Sequence, residues 1–129
     1  MCNNVIFQDQ NKTFLFEFLY KVDKYFTYEI YISTSEYSGK CNFCIPEDML
    51  KNYVKRISKI MINLSGEITI EDCESDAYLK VYFENKRELY LRGQIGGSYE
   101  DNNLKFKLRV DQTILLRLKN ELLYDLQST

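Results

Sequence analysis

The sequence predicts an α+β protein: an antiparallel sheet of six or seven strands with two helices packed on one face, in the order βββ-α-ββββ-α. Three observations carry this expectation. Aromatic and β-branched residues alternate with polar ones over several short runs, the period of half-buried strands. Two segments, 46–64 and 113–126, change to the helical period. The chain has 129 residues, 45% hydrophobic and 28% charged, enough for one sizeable core and too few for two comfortable domains.

A single domain is expected over residues 1–129, with 1–12 an irregular lead-in. Phe14, Phe16, Phe18 and Tyr20 alternate with Leu15, Glu17 and Leu19, a largely buried first strand. After a turn at Val22-Asp23-Lys24, residues 25–33 place Phe26, Tyr28, Ile30 and Ile32 on one side, with Tyr25, Thr27, Glu29 and Tyr31 on the other. Residues 40–45 make a short third strand. Pro46 then opens a helix whose first turn carries Glu47 and Asp48, at the end where acidic side chains are favoured. Its apolar stripe is Met49, Leu50, Tyr53, Val54, Ile57, Ile60, Met61 and Leu64, with Gly66 placed to take the left-handed cap. Strands at 67–72, 78–84, 88–95 and 103–110 follow, joined by short polar links such as Asn85-Lys86 and Gly96-Gly97. At Asp111 the period switches again, and Ile114, Leu115, Leu118 and Leu122 line one face of a closing helix. Asp111 stands where an N-cap is wanted.

Composition excludes several functions. The chain has no histidine, which removes Ser-His-Asp and Cys-His nucleophiles and every His-containing metal site. A net charge of -2 gives no general affinity for nucleic acid or anionic membrane. The start, MCNNVIFQDQ, lacks the basic and apolar regions of a secretory signal, and no apolar run approaches the ~20 residues of a membrane span. A cytoplasmic chain with reduced thiols is the expectation.

Four groups of residues could carry chemistry. Cys41 and Cys44 form a CxxC, the spacing of a redox pair or half a metal site. In a strand these two positions face opposite sides, and Cys2 and Cys73 lack the paired spacing of a zinc site, so neither metal nor cofactor is expected. Glu67, Glu71, Asp72, Glu74 and Asp76 form an acidic run that could steer a basic protein partner, hold a divalent cation, or simply solvate a hairpin. Tyr78, Lys80, Tyr82, Tyr90, Arg92, Lys105, Lys107 and Arg109 place aromatics among cations on the outward side of the later strands. Single-stranded nucleic acid binders use such faces, and so does ordinary cross-strand packing. Lys51, Lys55 and Lys59 make a stripe read as the water-facing side of the first helix. No pair of groups is marked out as an active site.

The segment from Leu104 to Leu122, LxFxLxxDQTxLxxLxxxL, resembles the closing part of WapI-type immunity proteins. Tyr37-Ser38-Gly39, Glu47-Asp48, Gly66 and Gly93 agree with that family in order, and Ile114 stands where relatives often carry an aromatic residue. The resemblance covers roughly residues 25–123. It implies a small cytoplasmic, non-enzymatic protein that neutralises the C-terminal domain of a polymorphic or contact-dependent toxin. The acidic run is then the expected contact with a cationic toxin, and Asp111 the expected structural cap. The rival reading is a single-stranded nucleic acid module using the Tyr/Lys/Arg face.

Overall fold

A computed structural model describes residues 5–85, 87–100 and 102–128. Its elements run β1 (Val5–Asp9), β2 (Lys12–Val22), β3 (Tyr25–Ser33), β4 (Ser38–Pro46), α1 (Glu47–Asn63), β5 (Glu67–Glu71), β6 (Tyr78–Asn85), β7 (Glu88–Ile95), β8 (Leu104–Val110) and α2 (Thr113–Ser128). The α+β class and both helices agree with the sequence pattern. The sheet does not. The strands divide into two antiparallel four-stranded meanders, β1-β2-β3-β4 and β5-β6-β7-β8.

Two corrections follow. The supposed lead-in contributes a strand: β1 pairs with β2, and its Ile6 and Phe7 are buried. The chain turns between them at Gln10, in the left-handed region at φ 48°. The run is too short to announce its own period. The single sheet also fails, because among the described residues β4 has no strand on its far side. Its free edge meets a loop instead. Cys44 N–H donates to Asp72 Oδ1 at 3.0 Å, and Cys44 O accepts Cys73 N–H at 3.0 Å. Gly39 lets β4 come close to β7, since a Cβ there would lie 2.9 Å from Ile95 Cδ1. Alternation tells which side of a strand is buried and says nothing of which strands are neighbours.

One core joins both sheets and both helices. Phe14, Phe16, Phe26, Tyr28, Ile30 and Ile32 fill it from the first sheet, and Ile70, Leu79, Val81, Leu89 and Leu91 from the second. Leu50, Tyr53, Ile57 and Ile60 of α1 and Ile114, Leu115, Leu118 and Leu122 of α2 complete it. The helices pack on each other, and α1 also touches β4 and β5 while α2 touches β1. The α1 cap differs from expectation. The left-handed residue that ends the helix is Leu64, φ 52°, whose N–H bonds Ile60 O, and Gly66 takes φ 102° two residues later. Gly93 is required by packing: a Cβ there would sit 2.2 Å from the Tyr78 carbonyl oxygen.

Candidate functional site

The acidic run splits by role. Asp72 and Asp76 turn inward on the chain. Asp72 Oδ1 accepts the N–H groups of Cys44 at 3.0 Å and Glu74 at 3.2 Å, and its Oδ2 accepts the Ser75 hydroxyl at 2.6 Å. Ser75 Oγ in turn accepts Ala77 N–H at 3.1 Å. Asp76 accepts the N–H of Ser98 at 2.8 Å and also its hydroxyl. Those two hydrogen bonds hold the Asp76 carboxyl below its usual range. Such charge-assisted bonds fix the loop between β5 and β6 in one shape. Glu67 lies on the sheet face, 3.5 Å from Lys80. Glu71 and Glu74 are exposed at the base and crest of the loop.

Beside this loop lies an apolar surface that the alternation did not disclose. β2 carries a bulge between Phe18 and Tyr20, so that Phe18 pairs with Tyr28 but Tyr20 with Thr27. A bulge inserts one extra residue and reverses the side taken by everything after it. Tyr20 and Val22 are thereby turned outward beside Tyr25. All three are exposed, at 53%, 59% and 49%. Thr27 pairs onward with Cys44, which puts Tyr20, Thr27 and Cys44 in one row across the outer face. Tyr20, Val22, Tyr25 and Thr27, with Cys44, Cys73 and Glu74, line an open depression of about 460 Å³. Only the bulge, which has no mark in the sequence, places Tyr20 there.

The second sheet brings the Tyr/basic set together. Its rows read Tyr82–Tyr90–Arg109, Lys80–Arg92–Lys107 and Tyr78–Gln94–Lys105. The rings of Tyr82 and Tyr90 stack at 5.8 Å. Lys107 Nζ sits 4.5 Å from the Tyr90 ring and 3.8 Å from Glu84, and Lys80 Nζ 5.5 Å from the Tyr82 ring. These cations are spent on neighbouring rings and carboxylates, the arrangement of cross-strand packing. On α1, Lys51 pairs with Glu47 at 3.2 Å, while Lys55 and Lys59 line a groove between α1 and β5.

Cys41 and Cys44 are no pair. Cys41 sits opposite Ile30 and packs against the core, whereas Cys44 faces outward opposite Thr27. Among the described residues, which exclude Cys2, no three Cys, Asp or Glu side chains gather as metal ligands. Asp111 Oδ1 accepts Thr113 N–H at 2.8 Å, and Asp111 O accepts Ile114 N–H at 3.1 Å, so the residue opens α2 through both its side chain and its carbonyl. The Thr113 bonds also hold its carboxyl below the usual range. In comparisons with known proteins, no protein family, curated protein or solved structure matches this chain.

Proposed function

We propose that this chain is an immunity protein, a non-catalytic partner that occludes or locks a cognate bacterial toxin domain. The resemblance of Leu104 to Leu122 supports the reading from sequence. The observation that carries it in geometry is the adjacency of a pre-shaped acidic loop and the exposed Tyr20, Val22 and Tyr25. Stable protein interfaces bury aromatic anchors inside a polar rim, and form most tightly when loops already hold their bound shape. Here Asp72 and Asp76 set the shape. Glu71 and Glu74 supply charge that draws in a cationic toxin, and two tyrosines supply the anchors.

The test pairs the chain with the toxin domain encoded beside its gene. Co-expression should rescue growth, and the purified partners should form a stable complex. Tyr25→Ala should weaken that complex by about 2 kcal/mol, roughly 30-fold. Glu71→Gln with Glu74→Gln should slow association several-fold at low salt, with the difference fading as salt screens the charge over ~10 Å at 0.1 M. A second reading, single-stranded nucleic acid binding, draws on the contiguous rows of Tyr, Lys and Arg on β6, β7 and β8. Steeply salt-dependent binding to single-stranded RNA or DNA, lost with Tyr82→Ala and Lys107→Ala, together with no growth rescue, would replace the immunity reading with that one.

A further inference from the structure

We infer that Cys44 and Cys73 form a modification site, a dithiol that a peroxide closes to a disulfide joining β4 of the first sheet to the acidic loop of the second. The inference does not rest on the immunity reading.

Four observations place the two sulfurs for this chemistry. The backbones are locked together by Cys73 N–H to Cys44 O at 3.0 Å, and by Cys44 N–H to Asp72 Oδ1 at 3.0 Å. The Cys73 thiol stands close enough to Cys44 to perturb its ionisation. Both line the same open depression, Cys73 exposed and Cys44 half-buried. The two are free thiols in this structure.

The roles follow from exposure and surroundings. Burial, the Cys73 hydrogen bond and the nearby Glu74 and Asp72 push the Cys44 thiol up to about 12, so it stays protonated and is a poor first attacker. Cys73 meets the oxidant. Its sulfur attacks one peroxide oxygen, the S–O bond forms and the O–O bond breaks. The departing hydroxide takes the Cys73 proton and leaves as water. Cys44 sulfur then attacks the Cys73 sulfenic sulfur. The S–S bond forms, the S–O bond breaks, and the second hydroxide leaves as water with the Cys44 proton. Two thiols lose two electrons and two protons, and hydrogen peroxide is reduced to two waters. Cys41 takes no part, because it faces the core on the other side of β4.

The experiment treats fully reduced protein with a few equivalents of hydrogen peroxide and reads the intact mass, a non-reducing peptide map and the melting temperature. A fall of about 2 Da and a peptide linking Cys73 to the segment holding Cys41 and Cys44 are expected. Those two cysteines share one tryptic peptide, so Cys41→Ser assigns the bond and should behave as the unaltered chain. Tm should rise by roughly 5–15 °C and return on reduction, since the bond closes a loop containing α1 and β5. Cys73→Ser should abolish the mass change. A bond to Cys41 or Cys2, a covalent dimer, or sulfinic acid at Cys73 without the 2 Da loss would overturn the inference. The map on the unaltered chain decides even if a variant fails to fold.

Discussion

Tyr28 donates its hydroxyl to Asp125 Oδ2 at 2.8 Å inside the core, a bond between β3 and the last turns of α2. Asp125 is 2% exposed, and Glu121 one turn earlier shares a proton-bearing hydrogen bond with it. Burial, then the Asp125 carboxyl, then Glu17 across on β2 raise Glu121 to about 8. Asp125 is raised by burial as well, and Tyr28 is raised by burial and by Asp125. In the unfolded chain Glu121 releases its proton near 4.5. From about that pH up to about 8 the folded protein therefore holds a proton that the unfolded chain has lost, and stability falls as pH rises through this window. Melting temperature should be lower at pH 8.5 than at 5.5, and Glu121→Gln should remove most of the slope. An unchanged slope in that variant would show that the proton is held elsewhere. Asp76 and Asp111 act in another window: their lowered carboxyls lose stability only as pH falls into the acid range. None of this triad was legible beforehand. Asp125 reads as an ordinary helix-surface acid until Tyr28, 97 positions away, is placed against it. The same holds for Asp72 and Asp76, whose partners Cys44 and Ser98 lie 28 and 22 positions off.

Elements were more legible, and the reason is local. From Tyr78 to Phe83 β6 stays in register with β7, as β7 does with β8 throughout, so their Tyr/basic rows can be read directly from spacing. The α2 start is equally local, because Asp111 reaches an amide only two residues on. Asp111→Ala should cost about 0.5–2 kcal/mol in chemical denaturation, leaving partner binding intact once folding is allowed for. An unaltered midpoint would mean that the Asp111 carbonyl, not its carboxylate, starts the helix. Legibility failed where one residue breaks a period. The β2 bulge turns Tyr20 out of the face shared by Phe14 and Phe16, and the acidic loop gains one of its aromatic neighbours from that single insertion. It failed again at the α1 end, where Leu64 takes the left-handed turn expected of Gly66.

At the scale of the whole molecule, the division into two sheets was hidden because hydrophobic patterning is blind to strand order. What separates them is α1, which carries the chain from the β4 edge to a new meander, and the loop that occupies that edge in place of a strand. Each meander joins only sequence neighbours, β1 to β4 and then β5 to β8. The ties made by α2 are of another kind: Asp125 to Tyr28 spans 97 positions, and Arg117 Nη1 to Ile6 O, at 3.5 Å, spans 111. Short loops close early and cheaply in chain entropy, while distant contacts must wait for the segments they join. Both hairpin stacks can therefore form before α2 docks, and α2 is expected to open before them in the native state. Native-state hydrogen exchange should find amides of β2, β3, β6 and β7 opening only with global unfolding, and those of α2 opening at lower free energy. Equal protection throughout α2 would make the molecule a single cooperative unit. On the order given by the topology, the closing helix is a latch, and Tyr28 is its catch.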